Sequence, residues 1–158
     1  MLKIDPYATH LPLLAACVAN SGGPVLELGC GLYSTPVLHA LCLGRTLLSV
    51  ESNAEWYERF KHFNSDQHRV VLSNELPELP VPWSVVLIDQ QPVKTRAPSI
   101  VRLREKTALF VCHDTEHRLY EYEPVLSTFK YRIEWQRYAP WTSVVSDTIE
   151  LDWLRSLL

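Results

Sequence analysis

The sequence predicts an α/β fold: a Rossmann-like, doubly wound sheet of seven strands, mainly parallel, with a C-terminal antiparallel hairpin and helices on both faces. Two observations carry this prediction. Short apolar runs alternate with helical segments between residues 24 and 129. Residues 130–149 are rich in aromatic and β-branched side chains, and Ala139-Pro140 forms a short connection between two strands. The length of 158 residues suits one domain over residues 1–158.

Turn and capping residues divide the chain into elements. A helix over about residues 6–20 begins at Pro6 and ends before Gly22-Gly23, and Asn53 is the expected N-cap of the third helix. Residues 75–82 are rich in proline and predict a connection without a regular helix. The predicted strands are 25–28, 46–50, 69–72, 83–88, 108–112, 131–138 and 141–149, and the predicted helices are 6–20, 35–43, 54–63, 98–106 and 116–127.

The segment from residue 25 to residue 53 is the most informative about function. A first apolar strand carries Glu27 and ends in the turn Gly29-Cys30-Gly31, a helix follows, and a second apolar strand ends in Glu51. This order is typical of a site for a nucleoside-bearing cofactor, in which the second acid accepts hydrogen bonds from both hydroxyls of the ribose. Ser34 stands where a dinucleotide-binding turn has its third glycine, so the pattern favours a cofactor without a phosphate.

These residues resemble the first two motifs of class I S-adenosylmethionine-dependent methyltransferases, where an acid-x-Gly-x-Gly turn follows strand one and an acid ends strand two. The predicted order of elements is similar over nearly the whole chain. The resemblance implies S-adenosylmethionine as the cofactor, with Glu51 at the ribose and Glu27 at the turn or the methionine part. It also implies that Ser73 and Asn74 lie near the adenine. The predicted cofactor-binding residues are Glu27, Gly29, Cys30, Gly31, Glu51, Ser52, Ser73, Asn74 and Asp89.

Polar residues after the fourth and fifth strands form the candidate catalytic group. Asp89 follows one strand and His113-Asp114 follow the next, and neighbouring parallel strands bring such residues to one edge. Similar positions carry magnesium-binding acids in catechol-type O-methyltransferases, so Asp89 and Asp114 are candidate ligands of Mg²⁺, although a histidine suits borderline metals better. Alternatively, Asp89 or His113 is a general base, and Asp114 is either part of that chemistry or the cap of the next helix. Arg96, in the loop beside this site, is expected to pair with Asp89 or to bind an acidic substrate group.

Composition and charge set the expected partners. A net charge of −3 and a pI near 6.1 argue against nucleic acid as a partner, which leaves a small-molecule substrate. Neither a long apolar run nor a signal-peptide pattern is present, so a cytoplasmic protein without membrane contact is expected. The C-terminal aromatic residues are candidates for the core or for a homodimer contact. His10 is expected at the surface, and the four cysteines are expected to act as small residues without chemistry.

Together these features predict an S-adenosylmethionine-dependent methyltransferase that acts on an oxygen or nitrogen of a small-molecule acceptor, with Asp89, His113 and Asp114 as catalytic candidates. Two alternatives stay open. One is a non-catalytic S-adenosylmethionine-binding module or partner subunit, which the lack of a substantial substrate-binding segment favours. The other is an NAD-dependent oxidoreductase, against which the missing third glycine counts.

Overall fold

Seven strands form one sheet within residues 4–78 and 82–157, the parts of the chain that the computed structural model describes. In chain order they are β1 (Val25–Leu28), β2 (Leu47–Glu51), β3 (His68–Leu72), β4 (Trp83–Ile88), β5 (Thr107–His113), β6 (Tyr131–Trp135) and β7 (Thr142–Ser146). Across the sheet their order is β3-β2-β1-β4-β5-β7-β6. The first five are parallel, whereas β7 pairs antiparallel with both β5 and β6.

The helices connect these strands. Asn53 caps one of them as predicted, because its side-chain oxygen accepts from the Trp56 N–H at 3.0 Å. Short 3-10 turns at Pro6–Ala8 and Lys61–Phe63 adjoin the first and third helices. The described α-helices are α1 (Leu11–Ala19), α2 (Ser34–Leu41), α3 (Ala54–Phe60), α4 (Arg96–Leu103) and α5 (Glu123–Leu126).

The core lies on both faces of the sheet. Val25 belongs to the apolar cluster under α1 and α2, and its neighbour Leu26 belongs to the cluster under α4 and α5. This alternation follows from the strand period, and complete burial of β1 is typical of a central parallel strand. The predicted fold, with helices on both faces and an antiparallel C-terminal pair, is therefore confirmed.

The prediction of a helix over residues 116–127 is wrong. Only a 3-10 turn (Arg118–Tyr120) and the single turn of α5 form there, because Glu121 between them has a left-handed backbone with φ of 53°. The first helix begins at Leu11 rather than Pro6, and Arg96 begins α4 rather than lying in a loop. Both C-terminal strands are shorter than predicted. Part of the proline-rich connection, residues 79–81, lies outside the described residues.

In the described part of the chain, no helix combines the length and apolar character that crossing a membrane would require. The cytoplasmic location stays a prediction. Among the C-terminal aromatic residues, Trp135 is buried in the core, whereas Trp153 is 37% exposed. The homodimer also stays a prediction, with Trp153 as the candidate of these two that remains accessible.

Candidate cofactor and active site

The glycine turn after β1 is held by side chains of three other elements. The Cys30 N–H donates to Glu51 Oε2 at 2.9 Å, and the Gly31 N–H donates to Thr35 Oγ1 at 3.0 Å. The Cys30 carbonyl accepts from the indole N–H of Trp56. The Cys30 side chain is small and buried, and burial raises the pKa of its thiol above its ordinary value. The turn is therefore a preformed structure fastened to β2, α2 and α3.

Gly29 is required by the close approach of the segment that follows β4. Its φ of +88° lies in the left-handed region, and a Cβ there would lie 2.6 Å from the Asp89 carbonyl oxygen and 2.7 Å from Gln90 Cα. Because Gly29 has no side chain, the backbone of Asp89 and Gln90 can pass directly beside the turn. The turn after β1 and the segment after β4 consequently meet at Asp89.

Glu51 is buried at the end of β2 and binds backbone N–H groups. Its Oε1 accepts from the N–H groups of Ser52 and Asn53, both at 2.8 Å, and its Oε2 accepts from Cys30. Two carboxylate oxygens offer about four acceptor positions. One acceptor position therefore remains at Oε2, and the contact of Glu51 with both ribose hydroxyls stays a prediction.

Glu27 faces inward from β1 and is fully buried. Its carboxylate accepts from Thr35 Oγ1 at 3.0 Å and from Ser49 Oγ at 2.5 Å. Burial raises its pKa to about 7, although the neighbouring hydroxyls act in the opposite direction. Ser49 Oγ also contacts His68 Nε2 at 2.9 Å, and His68 Nδ1 lies 3.0 Å from His39 Nδ1. In this structure Glu27 fastens the turn and belongs to a buried hydrogen-bonded chain that leads to His39.

Replacing Glu27 by glutamine is expected to flatten the pH dependence of stability. An acid whose folded pKa is raised from 4.5 to about 7 stabilises the fold fully below pH 4.5, and that contribution is lost as the pH rises through 7. The loss amounts to about 3 kcal/mol. Urea unfolding of the wild type and Glu27→Gln between pH 5 and 8 measures it. Glu55→Gln, an exposed acid in α3, is the control. Parallel stability curves for the wild type and Glu27→Gln would contradict the assignment.

A cavity of about 240 Å³ opens at the carboxyl ends of the strands. It brings together three predicted cofactor residues, namely Ser52 after β2 and the Ser73-Asn74 pair after β3. Across the cavity, the Ser52 hydroxyl donates to the Gln91 carbonyl at 2.9 Å. Its lining combines leucine and valine residues with polar residues. The remaining lining residues are Leu28, Val50, Glu75, Leu76, Gln90, Gln91, Pro92, Thr95 and Ser99.

Asp89, His113 and Asp114 converge around Arg96, as the neighbouring positions of β4 and β5 predicted. The buried Arg96 guanidinium lies 2.9 Å from Asp89 Oδ1 and 2.8 Å from Asp114 Oδ2. His113 Nδ1 lies 3.4 Å from Asp89 Oδ2. The predicted pairing of Arg96 with Asp89 is thus present, and Arg96 binds the second carboxylate as well. Asp114 has a left-handed backbone with φ of 61° and does not cap an α-helix.

The charges of this cluster shift its pKa values. Burial by itself would raise the pKa of Asp89, but His113 and Arg96 outweigh it and hold that pKa below its usual range. Burial by itself would lower the pKa of His113, and Asp89 outweighs it, so that pKa is raised. Magnesium at Asp89 and Asp114 is not supported, because the Arg96 guanidinium lies between the two carboxylates, where such a cation would bind.

His10 does not lie at the surface. Its side chain is 1% exposed and its ring centroid lies 4.5 Å from that of His113. Burial and the neighbouring His113 lower its pKa to about 4. Thr9 contacts His113 Nε2 at 2.9 Å, so the segment before α1 packs over the ends of β4 and β5. The sequence offers one signal for this placement, the polar Thr9-His10 pair at the start of an apolar helix, but no periodicity points to its partner.

The sheet order and the site define a fold class: the chain has the fold of class I S-adenosylmethionine-dependent methyltransferases. It is similar to the N-terminal domain of human METTL16 in complex with S-adenosylhomocysteine, with a TM-score of 0.62 and 13% identity over 94% of this chain and 73% of that chain. NodS, an N-methyltransferase of Bradyrhizobium japonicum WM9, gives 0.63 and 12% over 92% and 98%. TrmK of M. capricolum, with S-adenosylhomocysteine bound, gives 0.63 and 14% over 97% and 74%. No protein-family model and no curated protein match the sequence.

The expectation that nucleic acid is not a partner is wrong. METTL16 and TrmK are RNA methyltransferases. Net charge therefore does not decide the acceptor for this fold, since a local surface binds nucleic acid independently of the charge of the whole chain. RNA belongs among the acceptors to be tested.

Proposed function

We propose that this protein is an S-adenosylmethionine-dependent methyltransferase. The observation that carries the proposal is the cavity of about 240 Å³ at the carboxyl ends of β1 to β4, which is lined by Val50 and Ser52, the chain neighbours of Glu51. Ligands of open α/β sheets bind at this edge, where the strand order reverses on either side of β1. The same edge holds the fastened glycine turn and the Asp89 cluster. The bound S-adenosylhomocysteine in two structures of this fold supports the choice of cofactor.

Different residues in and next to the cavity bind different parts of the cofactor. Glu51 Oε2 retains one acceptor position for a ribose hydroxyl, and the chain neighbours of Glu51, Val50 and Ser52, line the cavity. Asn74, at the rim, offers an amide oxygen to the adenine amine, and Ser73 and Ser52 supply further polar contacts. Leu76 and the other apolar lining residues provide the surface for the adenine ring. The methionine part is then placed toward the glycine turn and Asp89, which follow β1 and β4 at the same edge of the sheet.

Asp89 is the group of the cluster that an acceptor can reach. Its side chain is 22% exposed, whereas His113 is 3% exposed. An acceptor oxygen or nitrogen forms a bond to the methyl carbon as the carbon–sulfur bond breaks, the electron pair of that bond passes to sulfur, and the acceptor releases a proton. Asp89 accepts that proton, and His113 and Arg96 hold the carboxylate in position. An open groove of about 1060 Å³, bordered by Thr115 and Trp141, lies next to the cluster and provides room for an acceptor.

Calorimetric titration with S-adenosylmethionine and S-adenosylhomocysteine tests the cofactor. Binding of both is expected, because the pocket contacts the nucleoside and amino-acid parts that they share. A parallel titration with NAD⁺ tests the oxidoreductase alternative. Absence of binding to either S-adenosyl compound, with NAD⁺ bound instead, overturns the proposal.

Replacing Asp89 by asparagine is expected to preserve cofactor affinity and to lower turnover by about 10²–10⁴-fold, because positioned proton transfer contributes that much. Turnover is measured with labelled S-adenosylmethionine against a panel of small oxygen and nitrogen acceptors and RNA. The small-molecule acceptor stays a prediction that this panel tests. His113→Ala should also lower turnover, and Asp66→Asn, an exposed acid away from the site, is the control. Cofactor binding without turnover on any acceptor would instead favour the non-catalytic binding module.

A further inference from the structure

The segment before α1, β4 and β5 bring three ligand-type side chains together. One donor atom from each of His10, Asp89 and His113 lies within 4.8 Å of the other two. Both ring nitrogens of His10 are buried and have no hydrogen-bond partner among the residues that the structure describes. A buried polar group without a hydrogen-bond partner costs free energy of folding. The His10 ring therefore either destabilises the fold or binds a ligand that enters the site. Its position beside Asp89 and His113 indicates the second.

The hydrogen bonds of His113 determine which of its nitrogens is available. Thr9 Oγ1 lies 2.8 Å from the Pro140 carbonyl oxygen, which only accepts, so the hydroxyl donates there. The hydroxyl then accepts from the Nε2–H of His113 at 2.9 Å. In a neutral ring, Nδ1 consequently carries a lone pair, and this lone pair faces Asp89 Oδ2 at 3.4 Å. Two acceptors that face each other require a cation or a proton between them.

We propose that His10, Asp89 and His113 form a binding site for a divalent first-row transition metal such as Zn²⁺ or Co²⁺. Two imidazoles and one carboxylate suit these borderline ions, whereas Mg²⁺ prefers oxygen ligands. Asp89 Oδ2 and His113 Nδ1 already have the separation of about 3.4 Å that two ligands adopt on a tetrahedral ion with bonds near 2.1 Å. The third donor atom, from His10, lies within 4.8 Å of both.

The surroundings fit such an ion in charge and access. Arg96 binds Oδ1 of Asp89, so it orients the carboxylate and leaves Oδ2 free for the metal. Asp89, Asp114 and Arg96 together carry one net negative charge, which an added cation offsets. The partial exposure of Asp89 provides a route of entry.

Three protein ligands leave a fourth tetrahedral position open for an exogenous oxygen or nitrogen. A metal ion held by these three ligands would lower the pKa of a hydroxyl bound at the fourth position and would activate the methyl acceptor directly. This role rests on the proposed function, whereas metal binding itself does not. Titration of the metal without any S-adenosyl compound therefore separates failure of the metal site from failure of the methyltransferase proposal.

The test is calorimetric titration of the metal-free full chain with Zn²⁺, together with the visible absorption spectrum of its Co²⁺ complex. We expect about one equivalent to bind, unaffected by excess Mg²⁺. His10→Ala and His113→Ala should each lower the affinity for Zn²⁺ by more than about tenfold, since loss of even a group that hydrogen-bonds to a metal ligand lowers metal affinity by that much. Asp89→Asn, which preserves side-chain shape, should do the same and guards against a folding defect. Circular dichroism of each metal-free variant confirms the fold.

His39→Ala is the matched control, because His39 and His68 form the other close histidine pair among the described residues. It should leave the Zn²⁺ affinity and the Co²⁺ spectrum unchanged. The proposal is overturned if Zn²⁺ does not bind to the folded wild type. It is equally overturned if binding survives both His10→Ala and His113→Ala, and loss of binding in His39→Ala would then place the metal at His39 and His68 instead.

Discussion

Replacing Arg96 by methionine is expected to lower the free energy of unfolding by about 3 kcal/mol. Removing one partner of a buried ion pair leaves uncompensated charge, and here two carboxylates, Asp89 and Asp114, lose the same guanidinium. The expected value lies at the lower end of the range for buried pairs, because these carboxylates are 22% and 15% exposed and keep some contact with water. Methionine is unbranched and replaces the methylene part of the arginine side chain with an apolar chain of similar length.

Chemical denaturation monitored by circular dichroism measures this loss. Arg102→Met is the control, since Arg102 lies on the same helix but is exposed, and its contact with Glu78 is 4.0 Å long. A third variant combines Arg96→Met with Asp89→Asn and Asp114→Asn, and it should recover part of the lost stability because no unpaired charge remains. Equal stability of the Arg96→Met protein and the wild type would show that the three charged groups are independently solvated.

Replacing Glu51 by alanine is expected to lower the affinity for S-adenosylmethionine by at least about tenfold and to destabilise the glycine turn as well. A hydrogen bond to a charged group contributes about 1.5–3 kcal/mol, and the ribose hydroxyl would lose one at Oε2. Three backbone N–H groups now donate to the Glu51 carboxylate, those of Cys30, Ser52 and Asn53, and they would lose their acceptor at the same time. The glycine turn and the start of α3 would therefore lose their link to β2.

Calorimetry with S-adenosylhomocysteine, at a temperature where the variant is folded by circular dichroism, separates the two effects. Glu55→Ala, an exposed acid four residues along the chain, should bind as the wild type does. Unchanged affinity in Glu51→Ala would remove Glu51 from the ribose site and restrict it to fastening the turn. Reduced stability with unchanged affinity would have the same meaning, because the two quantities are measured separately.

Local patterns in the sequence determined the fold and one end of the site. The alternation of apolar runs and helical segments predicted the sheet, and the glycine turn with Glu51 predicted where a cofactor would bind. The prediction of the sheet is confirmed, because strand and helix periods, capping residues and tight turns depend on neighbours in the chain, whereas the cofactor position stays a prediction. The failed helix after β5 shows the limit of such patterns, since the left-handed Glu121 interrupts it at a position that no sequence signal marks.

Only the tertiary structure decided the other end of the site. Thr9 and His113 are 104 residues apart, and their contact places the buried His10 beside Asp89. Arg96 pairs with both carboxylates that the sequence offered as Mg²⁺ ligands, and Glu27 accepts from the buried hydroxyls of Thr35 and Ser49. The physical reason is the same in each case. Burial, charge pairing and the free acceptor positions of a carboxylate depend on which distant segments pack together, and a local pattern contains no information about them.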